Sequence, residues 1–396
     1  MTSPLLSILI PTKDRAEGAV SSIATALSLP SSDVEVIVHD NSGDRRLENA
    51  LAGLPDGRLR YYHVSQPMDV VANFSAATEL SRGEYVTAIG DDDGVTSSLV
   101  EATQWGADHD ADAIVSTRPA QYYWPDLKFR YYGSAFSGTL EIRSFTGAVS
   151  LIEPQRELQK CLDAAGSRLF NLPRVYYGCV RRSCLERVRE YTGRYYPGPS
   201  PDVSSAVAVS KWVKRAYCFD YPLFVPGSSR QSTAGLGAAK LHHGRLEDFP
   251  HLPAWSLKDW SEMVPRFFSG PTIWAEDVVH ALVTTGQENL LGRFNIPLLY
   301  ALCLTFHPGH YREILKRFPA AARQGGHRPA LMALATLCQA ARVTSWRGRA
   351  AVRRLAALGV LHKCDRVVGL PDIRCAVDSL NERLSCRRQR LTVCDC

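Results

Sequence analysis

Over its first hundred residues the chain alternates short apolar runs with stretches of helical spacing. Residues 5–10, Leu-Leu-Ser-Ile-Leu-Ile, read as a strand buried on both faces, ended by Pro11-Thr12. Residues 16–29 then place Ala19, Val20, Ile23, Ala26 and Leu27 on one helical face. A second β-branched run, 34–38, closes on the turn-forming Asp40-Asn-Ser-Gly43. A weaker run follows at 60–64, a helical pattern at 70–80 and a fourth strand at 85–89. This βαβ rhythm predicts an α/β domain with a mostly parallel sheet and right-handed crossovers.

In open sheets of that kind ligands sit outside the carboxyl ends of the strands. The polar residues of interest fall there: Asp14 and Arg15 after the first strand, Asp40 after the second, and Asp91, Asp92 and Asp93 after the fourth. Beyond residue 100 the pattern loosens. Residues 119–145 are rich in Tyr, Trp and Phe and suit extended segments, whereas 161–172, 182–191 and 203–213 read as helices. The stretch 222–237, rich in Pro, Gly and Ser, marks the end of the catalytic unit. The expected organisation is a catalytic domain over 1–228, a linker region over 229–270, and a small all-α basic C-terminal domain over 271–396.

With 396 residues, 45% hydrophobic and 22% charged, the chain has ample apolar material for a core, which excludes disorder. No window approaches the roughly 20 apolar residues of a membrane-spanning helix. No basic segment precedes the first apolar run and no small-residue cleavage site follows it, so a cytoplasmic location is expected. The 11 cysteines lack paired Cys-x-x-Cys spacing, which signals neither a disulfide framework nor a zinc site. Even spacing of Cys364, Cys375 and Cys386 is read as coincidence, because Gly369 and Pro371 interrupt any helix joining them.

The net charge of +6 is uneven: residues 340–396 hold 12 Lys and Arg against 5 Asp and Glu, so the tail alone makes the protein basic. Trp346 is the one aromatic in that tail, which argues against nucleic acid as partner. Arg347, Arg349, Arg353 and Arg354 interleave with apolar residues over 346–361, a pattern shared by a solvated outer helix face and by a helix lying on the inner face of the cell membrane.

The strongest chemical signal is Ala88-Ile-Gly-Asp-Asp-Asp-Gly-Val95. Three adjacent carboxylates at the end of a buried strand repel one another unless a cation is held there. Mg²⁺ or Mn²⁺, which take hard oxygen ligands and commonly share their shell with substrate phosphates, resolve that cost. The plainer reading is a solvated acidic turn whose first Asp caps a helix beginning near Thr96.

Three segments decide between these readings: Ser7-Ile-Leu-Ile-Pro-Thr-Lys-Asp-Arg15, Val36-Ile-Val-His-Asp-Asn-Ser-Gly43, and Arg82-Gly-Glu-Tyr-Val-Thr-Ala-Ile-Gly-Asp-Asp-Asp93. In order and spacing they resemble the family 2 glycosyltransferases of the GT-A fold. The resemblance implies a Rossmann-like GT-A domain that binds a nucleotide-diphosphate sugar, UDP-linked in the favoured case, through Pro11, Thr12 and Asp40. Asp91, Asp92 and Asp93 would hold the ribose and a Mn²⁺ or Mg²⁺ ion, Asp92 being the first choice for metal. Gly90 stands where many members carry a further Asp. The inverting members place a carboxylate base at the start of a downstream helix, and Ser200-Pro-Asp202 resembles that arrangement, with Asp163 and Asp220 as weaker substitutes. As a plain helix start, Ser200 would instead cap, Pro201 would occupy the first position and Asp202 would favour the dipole.

Lys13 and Arg15 are candidates for phosphate contact, Asn73 for the nucleotide pocket, and His242 with His243 for metal or phosphates. Tyr176, Tyr177, Tyr195 and Tyr196 are read as aromatic packing ahead of sugar stacking. The implied acceptor is a glycan or lipid-linked hydroxyl in cell-envelope polysaccharide synthesis. Asp91-Asp-Asp93-Gly-Val95 also resembles the signature of haloacid-dehalogenase-like phosphatases, with Asp91 as nucleophile and Asp93 as acid/base, but those carry the nucleophile on the first strand. A non-catalytic glycan- or membrane-binding protein on the same fold would not need clustered carboxylates.

Overall fold

The computed structural model describes residues 3–386 apart from 55, 131, 240 and 358–363, with backbone alone for 346–357. The strands in chain order are β1 (Leu6–Thr12), β2 (Val34–Asp40), β3 (Leu59–His63), β4 (Tyr85–Ala88), β5 (Gly94–Val95), β6 (Ala113–Ser116) and β7 (Ala120–Tyr123). They continue with β8 (Thr139–Arg143), β9 (Val149–Ile152), β10 (Gly178–Arg181), β11 (Ala216–Phe219), β12 (Phe224–Val225), β13 (Gly227–Ser228) and β14 (Cys364–Val367). Eight of them form the central sheet, in the order β3-β2-β1-β4-β10-β6-β11-β9.

Parallel pairing joins β3, β2, β1 and β4, with Thr12 opposite Asp40. The antiparallel β10 enters between β4 and β6, so β6 and β11 run in the same direction as β1. The carboxyl ends of β3, β2, β1, β4, β6 and β11 and the amino ends of β10 and β9 therefore share one edge. The continuous apolar run of β1 is explained by burial on both faces: Leu6, Ile8 and Ile10 pack with Ile23 and Ala26 of the helix Ala16–Leu27. Leu9 points the other way, into a cluster with Phe74 and Ala77 of the helix Val70–Leu80. A separate helical core runs from Leu158 to Met332.

The α/β architecture with a helical C-terminal region is as expected, but several details differ. The helix anticipated over 161–172 lies earlier, at Pro154–Asp163, where Pro154 occupies its first turn. Ala165 and Gly166 take left-handed backbone angles (φ 53° and 73°) that stop it. The C-terminal region is not wholly helical, because Cys364–Val367 pairs antiparallel with β8. Its residues carry no alternating pattern; the open edge of β8 makes them a strand. The following helix, Ile373–Cys386, seats against the loop after the Asp triplet, where a Cβ at Gly94 would lie 2.6 Å from Val377. The side chains of the basic stretch at 346–361 lie outside the described residues. Among the described residues no helix is long and apolar enough to cross a membrane.

Candidate active site

The ends of β1 and β4 meet through side chains. The buried Thr12 hydroxyl donates to Asp91 (2.6 Å), and Arg15 reaches back from the start of the first helix to Asp91 (2.5 Å) and Asp92 (3.1 Å). Burial works against the charge on Arg15, yet Asp91 and Asp92 outweigh it and raise its pKa. Burial pushes the Asp91 carboxyl up and Asp92 adds to this, while Arg15 and Thr12 oppose it. Asp91 does not cap the next helix, which starts at Ser98.

Each member of the triplet is held differently. Asp92 Oδ2 accepts from the backbone N–H (3.1 Å) and hydroxyl (2.8 Å) of Ser229, while its Oδ1 has no hydrogen bond among the described residues. Asp93 is fully engaged: Oδ1 accepts from the Tyr177 hydroxyl (2.7 Å) and Gly227 N–H (2.7 Å), Oδ2 from the Tyr176 hydroxyl (3.0 Å) and Gly90 N–H (2.6 Å). Burial, and then the charge of Asp92, push Asp93 up. Gly227 cannot be replaced without moving the triplet, because a Cβ there would lie 1.7 Å from the Asp92 carbonyl oxygen. The Pro/Gly/Ser-rich stretch thus supplies the floor of the site.

Among the described residues no three His, Cys, Asp or Glu side chains are grouped to hold a metal ion. The available ligand is Asp92 Oδ1, which fits a hard cation that takes one carboxylate and completes its shell from a diphosphate and water. Of the other metal candidates, Asp93 already has four donors, and His242 packs edge-on against Phe268, 4.6 Å between ring centres, where burial lowers its pKa to about 4. His243 sits with His307 and His310.

Around the nucleotide candidates, Pro11 is buried within β1 and Lys13 is exposed at the rim. Asp40 is completely buried; it accepts from the N–H and hydroxyl of Ser42 and from the Tyr61 hydroxyl (2.7 Å). It therefore fixes the 40–43 turn and Tyr61. Asn73 bridges the same strand ends, donating to the Thr12 carbonyl (3.2 Å) and meeting His39 Nδ1 (2.6 Å).

Asp202 stands on the first turn of the helix Pro201–Val209, as expected, but Ser200 makes no side-chain cap. Instead the Ser200 hydroxyl donates to Asp202 Oδ1 (2.7 Å) and lies against Asp277 Oδ2, while Ser200 N–H donates to Asp277 Oδ1 (2.7 Å). Asp277 belongs to the helix Gly270–Thr284 and is fully buried; burial first, then the charge of Asp202, hold its pKa well above the carboxylate range. The Ser200 hydroxyl thus stands between two carboxyls; the form of Asp277 that burial favours, the protonated one, would donate to Ser200 and leave the Ser200 proton for Asp202. Sequence reasoning missed Asp277, although two adjacent acids within the apolar run 271–283 were a usable signal. It also took Tyr176 and Tyr177 for packing, where they hold Asp93. The weaker base candidates lie apart: Asp163 is exposed at a helix end, and Asp220 is occupied by Thr117 and Thr146.

Asp277 yields a test with a defined sign. Folding favours its protonated form, so its contribution is complete below the ordinary value of 3.8 and is lost as pH rises above it, by up to about 1.4 kcal/mol per pH unit. Asp277→Asn keeps both hydrogen bonds without titrating. Denaturant unfolding at pH 5, 6.5 and 8 should show the variant gaining on the wild type as pH rises; parallel curves would contradict the assignment.

Residues 7–154 match the family model described as glycosyl transferase family 2. A stretch of 93 residues is 33% identical to WcaA of Escherichia coli K12, whose name assigns it to colanic acid biosynthesis as a glycosyl transferase. That match spans 23% of this chain and a third (33%) of the relative's length. Among solved structures, TarS 1–349 of S. aureus with UDP-GlcNAc covers 81% of this chain and 92% of its own at 14% identity and a TM-score of 0.44. The Pyrobaculum calidifontis mannosyltransferase PcManGT with GDP-Man and Mn²⁺ covers 96% and 88% at 15% identity, with a TM-score of 0.44. Over residues 7–154 the chain is thus similar to the family 2 glycosyltransferases.

Proposed function

We propose that this chain transfers a glycosyl group from a nucleotide-diphosphate donor, UDP-linked by preference, to a hydroxyl of a glycan or lipid-linked acceptor, with inversion at the anomeric carbon. The observation that carries this reading is the joining of the ends of β1 and β4 by Thr12, Arg15, Asp91 and Asp92, with Asp92 Oδ1 left without a hydrogen bond among the described residues. Asp40, Asn73 and Tyr61 frame the base pocket, and Thr12 and Arg15 fix the carboxylates beneath the diphosphate. Asp92 would hold Mg²⁺ or Mn²⁺, which supplies Lewis-acid stabilisation of charge on the departing diphosphate.

Asp202 removes the proton from the acceptor hydroxyl as that oxygen attacks. Ser200 and Asp277 aim the carboxylate and leave its second oxygen free for the acceptor. The catalytic unit is residues 1–228; the segment 229–270 adds Ser229, and the basic region 271–396 adds Asp277 to the base. The family resemblance and the basic tail support a role in cell-envelope polysaccharide synthesis at the inner membrane face. The phosphatase alternative is disfavoured because Asp91, its nucleophile, is occupied by Thr12 and Arg15.

Calorimetric titration of the full chain with UDP-, GDP- and dTDP-sugars, each with Mn²⁺ or Mg²⁺, tests the reading. One donor should bind and be slowly hydrolysed to its nucleoside diphosphate; failure of every donor to bind would overturn it.

A further inference from the structure

Most buried charges here have an opposite partner, as Arg15 has Asp91 and Asp92, and Arg60 has Glu35. Two arginines beside the triplet do not. Arg174, in the loop before β10, is 2% exposed. Its Nη1 donates to the carbonyls of Phe170 (3.0 Å) and Leu172 (3.2 Å), and its Nε has no partner among the described residues. Arg118, just past β6 with a left-handed backbone (φ 52°), holds its guanidinium 5.5 Å from the centre of the Tyr177 ring. Neither side chain makes an ion pair among the described residues.

The two cations are close enough to disfavour one another. Burial lowers the pKa of both, and burial together with the charge of Arg118 brings Arg174 to about 9. The acids that act on them are Asp93 on Arg118 and Asp202 on Arg174. Asp93 is already held by four donors, and Asp202 is aimed by Ser200. Two desolvated like charges without a counter-ion are stable together only if a further negative group joins them. Guanidinium groups suit carboxylate or phosphate, whose oxygens match their paired donors.

Their place decides which part of a substrate that is. Arg118 packs on the ring of Tyr177, whose hydroxyl donates to Asp93 beside the donor carboxylates, and Arg174 stands three residues before Tyr177 in the same loop, within reach of the charge of Asp202, so the group belongs to a sugar and not to the nucleotide. We infer that Arg118 and Arg174 form an anion subsite that takes the carboxylate or phosphate of an acidic sugar at the reacting centre. This rests on the transferase reading for which sugar is meant; its source is the donor or the acceptor.

The test is calorimetry on the full chain, wild type and Arg118→Gln, with UDP-glucuronate against UDP-glucose, and with glucuronate and glucose 6-phosphate against glucose, with and without saturating UDP. A donor-borne anion predicts UDP-glucuronate at least tenfold tighter than UDP-glucose, a preference lost in Arg118→Gln and kept in Arg118→Lys. An acceptor-borne anion predicts no donor preference but tenfold tighter binding of glucuronate or glucose 6-phosphate than of glucose, lost and kept in the same variants. Arg174→Met, checked for folding by circular dichroism, should weaken the acidic ligand again. Absence of any acidic preference in the wild type, or its survival in Arg118→Gln, would overturn the inference. UDP binding with no acidic preference leaves the transferase reading intact; failure of UDP, GDP and dTDP alike to bind sinks that reading, and the free acidic sugars still decide the subsite.

Discussion

Asp202→Asn is expected to lower turnover by about 10²- to 10⁴-fold, the contribution of a positioned general base, while leaving nucleotide affinity unchanged. The amide has the shape of the carboxylate, and its oxygen can still accept the Ser200 hydroxyl, which in the wild type lies 2.7 Å from Oδ1. What it cannot do is take a proton from the acceptor. Thr12, Arg15 and Asp92, on the proposed donor side, make no hydrogen bond or ion pair with Asp202 among the described residues. Steady-state transfer together with calorimetry of the nucleotide separates the two effects. A parallel loss of nucleotide binding would place Asp202 in the donor pocket and remove it as the base.

Asp92→Ala is expected to abolish transfer and the metal-linked part of nucleotide binding. The truncation removes Oδ1, the oxygen left for a cation, and also Oδ2, which accepts from the Ser229 N–H and hydroxyl and pairs with Arg15. The Ser229 N–H keeps the Ser232 hydroxyl (3.2 Å) as acceptor, but the Ser229 hydroxyl and Arg15 lose their carboxylate partner, so unfolding must be measured beside activity. The discriminating quantity is the ratio of nucleotide affinity with and without Mn²⁺. It should exceed one in the wild type and fall to one in the variant; a ratio preserved in Asp92→Ala would show that the ion is held elsewhere.

The two variants probe the proposed donor side and the proposed acceptor side, and the contrast between them carries more weight than either alone. If both lost binding equally, the division of the site into a donor side at the triplet and an acceptor side at Asp202 would fail. Asp277→Asn supplies a third contrast, since it should spare turnover where an alanine, which can neither accept from nor donate to Ser200, should not.

The first half of the fold was legible because its elements are long, periodic and buried on predictable faces. The run at 5–10 became β1, extended to Thr12; residues 34–38 became β2; and 16–29 and 70–80 became helices. Strand ends carry their own chemistry, so Arg15, Asp40 and the Asp triplet were singled out from order alone, and Thr12 through the family resemblance. Residues 182–191 and 203–213 were also read as helices, close to the observed Arg182–Thr192 and Pro201–Val209. The four-residue β10 gave no such signal, and its antiparallel insertion depends on the neighbours it finds in β4 and β6.

By itself the sequence determined which residues reach the ligand edge of the sheet, because period and turn chemistry act locally along the chain. Only the tertiary structure decided what each carboxylate there does. Arg15 neutralises Asp91 and Asp92, Tyr176 and Tyr177 occupy Asp93, and Asp277 directs Ser200 at Asp202. Those partners lie tens of residues away, and the energy of a buried charge is set by what stands within a few ångströms of it, whatever its position in the chain.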